Sequence, residues 1–272
     1  MNNFSLLLCT YKNDNPLHLK ECLDSIVAGT VYPSEIVIVK DGPLTDELEA
    51  VLRNFNFPNK MNIVALPRNM TLGVARAEGT KAASHNCIAL MDSDDIIVPD
   101  RFEKQLAAIE KNPDINIIGG QIAEFNEVKS QAHASRQVPV NHEDILVYVK
   151  KRNPFNAMTD MFKKDLALES GNFRYFPGFE DYDLWARMIR NGAVCRNCPE
   201  VLVYARTGSG MYSRRRGVGY IRQEWRMQRL LRNLRITTAA QFLTNALKRI
   251  PLRLLPGFLI KRIYTKYFRG KA

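Results

Sequence analysis

The chain has 272 residues, of which 46% are hydrophobic and 25% charged, a balance typical of a globular protein whose core needs no disulfide support. Its five cysteines include one C-x-x-C pair, Cys195 and Cys198, without a histidine at ligand spacing, which argues against a zinc site. The sequence shows neither the basic start of a signal peptide nor an apolar stretch long enough to cross a membrane, so we expect a cytoplasmic protein.

The net charge of +11 is unevenly distributed along the chain. Residues 205–272 contain 17 lysines and arginines and one acidic residue, Glu224, whereas the preceding 204 residues carry a net charge of −5. A mildly acidic body and a strongly basic end suit different tasks. We therefore predict a main domain over residues 1–206 and a basic, amphipathic helical tail over residues 207–272.

Strand and helix patterns alternate through the first 125 residues. Short apolar runs predict strands at FSLLLCT, EIVIVKDG, NIVAL, CIALM and INIIGGQIAEF, the last with a turn at Gly119-Gly120. Helices are predicted between these strands, and the first of them carries an apolar stripe formed by Leu19, Cys22, Leu23, Ile26 and Val27. This alternation predicts an α/β fold built on a largely parallel, right-handed β-α-β sheet.

The pattern is weaker in the second half of the chain. Residues 121–157 are polar and irregular, and the next clear helix begins at Asp181, with Trp185 facing inward. VLVYARTG predicts a closing strand, and the chain is helical and basic from Arg222 onward.

Polar residues follow four of the predicted strands, at the edge where open α/β sheets bind their ligands. They are Thr10-Tyr11, Asp41, Arg68-Asn69 and the run Asp92-Ser93-Asp94-Asp95. A G-x-G-x-x-G after the first strand and a G-x-x-x-x-G-K-[ST] are both missing from the sequence, which argues against a dinucleotide fold and a P-loop enzyme.

Three aspartates, Asp92, Asp94 and Asp95, stand within four positions after the fourth strand. One of them would be explained as a helix N-cap. Three carboxylates so close together repel one another unless a cation lies between them. Hard oxygen ligands on a short turn suit Mg²⁺ or Mn²⁺, which also bind substrate phosphates. The cluster therefore predicts a divalent metal site that binds a diphosphate.

Five motifs stand in an order that resembles glycosyltransferase family 2: LLLCTYKND, IVIVKDG, LPRNMTLGVARAEGTKAA, LMDSDDI and GFEDYDLWARM. The resemblance covers roughly residues 4–206 and is greatest to bacterial enzymes of exopolysaccharide, capsule and O-antigen assembly, including those of the amylovoran type. It implies a GT-A fold, with a nucleotide-sugar half over residues 1–120 and an acceptor half over residues 121–206. It also implies an inverting transferase that uses Mn²⁺ or Mg²⁺ and a nucleotide-sugar donor.

The resemblance implies roles for residues at the ends of the first three strands. Thr10 and Tyr11 match positions that line the nucleotide base, and Asp41 matches an acid that accepts a hydrogen bond from a uracil N–H, which indicates a UDP-sugar. Asn69 and Arg76, together with Gly73, match the region near the ribose and diphosphate. The structural alternatives are a strand end at Thr10, a D-G turn at Asp41, and a helix start at Asn69 followed by an exposed Arg76.

The resemblance also implies roles for the acidic motifs. Asp94 matches a direct metal ligand, while Asp92 matches a residue on the ribose, the metal or a bound water. Asp95 either assists or caps the following helix. Inverting transfer needs a carboxylate that removes the acceptor proton and does not bind the metal.

The acidic pair Glu180-Asp181 matches this requirement, with Asp181 as the general base. The alternative for the pair is a helix N-cap, a structural role that suits Asp183 better. Trp185 either packs under the helix or forms a platform for the acceptor sugar. Arg206 falls at the start of a glycine-flanked segment that closes over the diphosphate in family members.

The segment that follows contains Arg214, Arg215 and Arg216, which suit either a phosphate or a solvated turn. Processive synthases have Q-x-x-R-W where this chain has QEWRM, so Met227 replaces the tryptophan and we expect one sugar to be transferred per acceptor.

The tail mixes leucine, isoleucine and aromatic residues with lysine and arginine, which is typical of helices on an anionic membrane surface. A lipid-linked saccharide acceptor at the inner face of the cytoplasmic membrane would fit that location. The alternatives are a helical cap on the sheet or a dimerisation surface, and hence a homodimer.

Two other functions compete with a glycosyltransferase. A sugar nucleotidyltransferase also places carboxylates and Mg²⁺ on an α/β sheet, but CTYKNDNP lacks the glycine-rich basic loop that it needs. A nucleic-acid-binding or membrane-binding protein without catalysis would explain the basic tail. The acidic body and the apolar content of the tail argue against nucleic acid.

Overall fold

Strands and helices alternate in the computed structural model, which describes residues 3–207 and 217–251. The elements of the first half are β1 (Phe4–Thr10), α1 (Pro16–Val27), β2 (Glu35–Lys40), α2 (Asp46–Asn54), β3 (Lys60–Ala65), α3 (Leu72–Ala82), β4 (Cys87–Asp92), β5 (Ile96–Ile97), α4 (Arg101–Lys111) and β6 (Ile115–Phe125). Each helix therefore lies between strands where the apolar spacing predicts it.

The second half contains the shorter elements and the C-terminal helices. They are β7 (Ala134–Arg136), α5 (His142–Tyr148), β8 (Met161–Lys163), α6 (Lys164–Glu169), α7 (Glu180–Arg190), β9 (Val194–Arg206), α8 (Gly217–Asn233) and α9 (Ala239–Arg249). Residues 121–157, expected to be irregular, contain the end of β6 together with β7 and α5. The predicted phosphate segment at Arg214–Arg216 and the end of the basic tail lie outside the described residues.

The described strands form one sheet in the order β3-β2-β1-β4-β8-β6-β9-β5, with β7 paired to β6. Strands β3, β2, β1 and β4 are parallel, as the sequence predicts. Strand β8 lies antiparallel between β4 and β6, while β6 and β9 pair in parallel. The α/β fold is confirmed, but the sheet is mixed beyond β4 because β8 returns in the opposite direction.

The apolar stripe predicted on α1 packs against the sheet. Leu19, Cys22, Leu23 and Ile26 are all fully buried, and the Asn15 side chain caps the helix by accepting the Leu17 N–H at 2.9 Å. Burying such side chains contributes roughly 1.5–3 kcal/mol each. This packing fixes the helix that directly follows β1, and with it the first loop of the ligand edge.

The glycine pair in β6 forms no turn, contrary to the sequence prediction. Strand β6 continues through Gly119 and Gly120 over its full length from Ile115 to Phe125. A Cβ atom at Gly119 would lie 2.5 Å from Asn197 Oδ1 and 2.6 Å from Asp160 Oδ1. The glycines therefore permit close packing inside a continuous strand rather than a change of direction.

Helix α8 of the basic tail packs on α7 and the residues just before it. Met227 and Leu231 of α8 are fully buried in a cluster that includes Phe176, Phe179 and Tyr182. None of the helices in residues 3–207 and 217–251 is long and apolar enough to cross a membrane. For α8 the structure thus shows the packed arrangement that the sequence left as an alternative to a membrane surface.

Candidate active site

An open cleft of about 1580 Å³ lies at the carboxyl ends of β1, β2 and β4. Most of the residues singled out in the sequence line it: Thr10, Tyr11, Asp41, Asn69, Asp92, Asp94, Asp181 and Arg206. The other two, Arg76 and Glu180, lie beside this lining: Arg76 forms an ion pair with Asp92, and Glu180 faces Arg76. Residues separated by more than 100 positions in the sequence therefore share one cavity.

Arg76 connects the two acidic motifs. Its guanidinium is 3% exposed and donates to Asp92 Oδ1 at 2.7 Å, while the distance from its Nη1 to Glu180 Oε1 is 3.8 Å. Burial alone would lower the pKa of Arg76, but the carboxylates of Asp92 and Glu180 raise it well above its usual range. Arg76 is thus a buried cation rather than the exposed residue of the structural alternative.

Asp94 presents its carboxylate to the cleft. Loss of hydration between the cleft walls, together with the charges of Asp92 and Asp14, raises its pKa to about 6. Within the described part of the chain the Asp94 side chain forms no ion pair, and its carboxylate accepts a hydrogen bond from its own backbone N–H. Its oxygens are therefore available to a ligand from the cleft.

Asp95 does not cap the following helix, contrary to one of its two predicted roles. Helix α4 begins six residues later, at Arg101, and Asp100 occupies its N-cap position. The buried Asp95 carboxylate instead accepts the Arg206 backbone N–H at 2.7 Å, and its second oxygen has no partner among the described residues. Burial, and then the charges of Asp94 and Asp92, raise its pKa well above the usual range.

The Arg206 side chain holds the acidic turn in place. Its guanidinium donates to the Asp94 carbonyl at 3.0 Å and to Glu21 at 2.5 Å, and it lies 4.6 Å from the centre of the Phe125 ring. These contacts connect the end of β9 to the loop after β4. Arg206, which also lines the cleft, therefore fixes the position of the Asp94 backbone.

Asp41 lies at the end of β2 and is 6% exposed. Its Oδ1 accepts the Met70 backbone N–H at 2.5 Å, which connects the β2 end to the loop that contains Asn69. The φ of +89° at Gly42 gives the D-G turn of the structural alternative, and a Cβ atom there would lie 2.7 Å from Asn69 N. Asp41 can both begin the D-G turn and bind a ligand, because it also lines the cleft.

Asp14 lines the cleft but carries no motif signal of its own. It accepts the Ser93 hydroxyl at 2.7 Å and the Tyr11 backbone N–H at 3.2 Å, and burial raises its pKa. Asp14 therefore connects the β1 loop to the acidic turn after β4. Asp14 is the last residue of the motif LLLCTYKND, which is the only sequence feature that points to it. The motif alone does not show that Asp14 contacts Ser93.

Asp181 lies in the first turn of α7 and faces the cleft. Its Oδ2 accepts the Asn153 side-chain N–H at 2.7 Å, and its Oδ1 accepts the Tyr182 backbone N–H at 2.7 Å. Asn153 is a site residue that sequence reasoning missed, because it comes from the loop after α5 and no spacing connects it to α7. Both Asp181 oxygens are thereby oriented.

Glu180 is 9% exposed and lies behind Asp181. Burial and the charge of Asp181 raise its pKa to about 7, while Arg76 opposes the shift. The α7 N-cap is Phe179, whose side chain makes no capping hydrogen bond, so neither acid is the cap residue. Asp183 is also no N-cap: it is buried and forms an ion pair with Arg187.

Trp185 belongs to the core rather than to the cleft. It is fully buried, and its ring packs edge-on against Phe155, Phe162 and Phe173. The predicted packing role is confirmed, and an acceptor-sugar platform at this residue is wrong because no face of the ring reaches the cavity.

Gly73 allows α3 to approach the segment before α7. A Cβ atom there would lie 2.1 Å from the Arg174 carbonyl oxygen and 3.0 Å from Glu180 Cβ. We expect Gly73→Ala to lower the free energy of unfolding by roughly 1–3 kcal/mol, because backbone must move. Urea unfolding measures the effect.

Gly219→Ala is the matched control for that substitution. Gly219 lies in α8, and nothing lies within 4 Å of a Cβ atom added there. Gly219→Ala should raise the free energy of unfolding by up to roughly 1 kcal/mol, because alanine is a better helix former than glycine. Equal stabilities of the two variants would contradict the packing role of Gly73.

The acidic turn fits a divalent cation that is completed by substrate. Within the described part of the chain, no three His, Cys, Asp or Glu side chains converge as a preformed metal cage. Mg²⁺ typically takes one or two carboxylates, with substrate phosphates and waters as its other ligands. The accessible Asp94 carboxylate and the neighbouring Asp92 supply oxygen donors of that kind.

An acidic turn at the carboxyl edge of an α/β sheet, with a second oriented carboxylate in the same cleft, is the arrangement that a GT-A glycosyltransferase requires. The chain belongs to glycosyltransferase family 2: the family model, described as "Glycosyl transferase family 2", matches residues 5–176. This membership decides against the nucleotidyltransferase and against a binding protein without catalysis.

Curated relatives match the chain over nearly its whole length. The amylovoran biosynthesis glycosyltransferase AmsE of Erwinia amylovora is 35% identical over 98% of this chain and 100% of its own. The UDP-Gal:alpha-D-GlcNAc-diphosphoundecaprenol beta-1,3-galactosyltransferase of Escherichia coli is 34% identical over 98% of this chain and 96% of its own. The matches extend through the basic tail.

Solved structures support the fold. S. aureus TarS 1-349 in complex with UDP-GlcNAc superposes with a TM-score of 0.70 at 16% identity, covering 97% of this chain and 76% of its own. The mannosyltransferase PcManGT from Pyrobaculum calidifontis, solved with GDP-Man and Mn²⁺, gives a TM-score of 0.65 at 15% identity over 99% and 76% of the two chains. The predicted GT-A fold is confirmed.

Proposed function

We propose that the protein transfers one sugar, with inversion, from a UDP-sugar to a hydroxyl of a lipid-linked saccharide in bacterial surface-polysaccharide assembly. The observation that carries the proposal is the shared cleft, into which the β4 turn presents Asp94 and α7 presents Asp181. The named substrates of the E. coli relative, a UDP-sugar and a diphosphoundecaprenol-linked sugar, support the donor and acceptor classes.

The donor nucleotide binds at the ends of β1 and β2. Thr10 and Tyr11 line the space for the base, and the Asp41 carboxylate is positioned to accept a ring N–H of uracil while Met70 N–H holds its other side. Asn69 lies in the same wall. The buried Arg76 and the half-buried Asp92 form a charged pair that borders the ribose and diphosphate region.

The diphosphate lies against the acidic turn. Asp94, with Asp92, would hold Mn²⁺ or Mg²⁺, which supplies charge neutralisation to the departing diphosphate. Asp95 and Arg206 act indirectly, since their contacts fix the backbone of this turn.

A carboxylate on α7 removes the proton of the acceptor hydroxyl. Asp181 accepts the proton of the acceptor hydroxyl, whose oxygen attacks the anomeric carbon as the bond from that carbon to the diphosphate oxygen breaks. Asn153 and Tyr182 N–H orient the carboxylate for this step. Attack from the side opposite the leaving group inverts the anomeric configuration.

The basic end of the chain places the enzyme on the inner face of the cytoplasmic membrane. Residues 207–272 contain 16 lysines and arginines and one acid, a net charge of +15 that exceeds the +11 of the whole chain, and lysines and arginines near an anionic surface contribute about 1 kcal/mol each. A homodimer through this basic end is compatible with the proposal. No nucleic acid is involved in the proposed reaction.

A panel of nucleotide sugars tests the proposal. The acceptor is an alkyl-diphosphate-linked α-N-acetylglucosamine, chosen to match the named acceptor of the E. coli relative. We expect Mn²⁺-dependent release of UDP with at least one of UDP-galactose, UDP-glucose and UDP-N-acetylglucosamine, and a β-linked product by NMR. A product with retained configuration, or turnover with none of the UDP-sugars, would refute it.

A further inference from the structure

Three lysines line the cleft at a distance along the chain from the acidic turn: Lys150 and Lys151 after α5, and Lys248 in α9. No ion pair of these three ammonium groups occurs within residues 3–207 and 217–251. The one acid of residues 205–272, Glu224, is fully buried and is neutralised by Arg249 at 2.6 Å. This part of the cleft therefore carries uncompensated positive charge.

Helix α9 is held against the segment that carries two of these lysines. The Asn245 side chain donates to the Lys150 carbonyl at 2.7 Å, and Arg249 donates to the Lys151 carbonyl at 2.6 Å. Asn245 also donates to Gln228 Oε1 of α8, which is fully buried. These hydrogen bonds hold the backbone of the Lys150-Lys151 turn against α9, the helix that contains Lys248.

One face of α9 is turned to the cleft. Its cleft-lining residues recur at intervals of three and four positions, the repeat of a single helix face: Ala240, Gln241, Thr244, Asn245, Lys248 and Arg249. Both N–H groups of the Asn245 amide are used by Lys150 and Gln228, so this face offers the Thr244 hydroxyl, the Gln241 amide and the Lys248 ammonium group as donors to phosphate oxygens. Both the charge and the donors of this wall suit an anion.

We propose that Lys150, Lys151 and Lys248 form a binding site for the diphosphate of the lipid-linked acceptor. The inference rests on the proposed function and assigns the part of the acceptor that this wall recognises. The donor diphosphate already has its place at the acidic turn, so a second anion explains a second, metal-independent set of charges in the same cleft. Lysine ammonium groups bind phosphates as compact point charges.

Direct binding tests the site independently of turnover. The probes are α-N-acetylglucosaminyl diphosphate with a short alkyl chain and the matching neutral alkyl glycoside, titrated calorimetrically without donor. We expect Lys150→Ala and Lys248→Ala each to weaken binding of the diphosphate probe roughly tenfold, the scale of one lost charged hydrogen bond. Binding of the neutral glycoside should not change, and Lys248→Arg should restore most of the loss.

Lys111→Ala is the matched control, because Lys111 is an exposed lysine at the end of α4 and does not line the cleft. Wild-type affinity for the diphosphate probe in the two cleft variants would overturn the site, even if transfer activity is found. Weakened binding in these variants would support the site even if no donor is turned over.

Sedimentation with phosphatidylglycerol vesicles separates the acceptor from a lipid headgroup as the source of the phosphate. Lysine variants that lose vesicle binding but keep wild-type affinity for the soluble diphosphate probe would overturn the proposal in favour of a membrane contact. Vesicle binding that matches wild type, with weakened probe binding, supports the acceptor diphosphate.

Discussion

Asp181→Asn should lower kcat by about 10²–10⁴-fold, the range that a positioned general base contributes. The amide has nearly the shape of the carboxylate but cannot accept the acceptor proton. The UDP-sugar dissociation constant should change little. Asp181 lies on α7, and its carboxylate is held by the Asn153 side chain and the Tyr182 backbone N–H rather than by residues at the nucleotide end. Steady-state kinetics with saturating acceptor, together with calorimetric titration of donor, measures both quantities.

Glu180→Gln is the comparison that assigns the base to one member of the acidic pair. Glu180 is buried beside Arg76 and does not line the cleft, so its replacement should reduce kcat less than Asp181→Asn. A larger loss in Glu180→Gln would transfer the role of the base to Glu180. Undiminished transfer by Asp181→Asn would remove the mechanism altogether. Circular dichroism confirms that both variants are folded.

The ligand edge of the sheet was predictable from sequence because it depends only on which residues directly follow each apolar strand. Parallel strands end at the same edge, so polar residues such as Thr10, Asp41 and Asp92 after buried apolar runs must meet there. The prediction of Asp181 had a different basis, namely the order of motifs shared with a family. Neither source required knowledge of how the second half of the sheet is arranged.

Contacts that depend on distant strand pairing could not be predicted. Asp95 accepts the Arg206 N–H across 111 positions, a contact that exists because β9 pairs with β5 and β6 in this sheet. The same holds for Asn153, which reaches Asp181 from a loop that the sequence marks as irregular. A short antiparallel strand such as β8, of three residues, is too brief to produce a periodic signal.

The amphipathic tail shows a further limit of sequence patterns. Apolar spacing in α8 predicts a helix with one apolar face but does not say whether a membrane or a protein core covers it. Met227 and Leu231 are covered by the cluster around Phe179. Lys248 of α9 lines the cleft because of the way α9 packs on α8. The amino-acid composition of the tail does not reveal this packing.

Asp94→Asn should abolish the metal dependence of donor binding. In Mn²⁺ we expect the variant to bind the UDP-sugar roughly a hundredfold more weakly than wild type, since the metal contributes several kcal/mol of charge stabilisation to a diphosphate. Asp94 is the one acid of the turn whose carboxylate faces the cleft without an ion pair to any described residue, whereas Asp92 is shared with Arg76 and Asp95 is buried. Calorimetric titration of donor with and without Mn²⁺ measures the difference.

Removal of the metal should eliminate the advantage of wild type over Asp94→Asn in UDP-sugar affinity. In EDTA the wild-type cleft retains the carboxylates of Asp92, Asp94 and Asp14, which repel a diphosphate. Asp94→Asn removes one of these charges, so in EDTA it should bind the UDP-sugar at least as tightly as wild type. Asp24→Asn on the exposed face of α1 removes the same charge outside the cleft and should behave as wild type under both conditions. A Mn²⁺-dependent gain in affinity that persists in Asp94→Asn would place the metal on other residues, because a cation held by Asp94 cannot bind without its carboxylate.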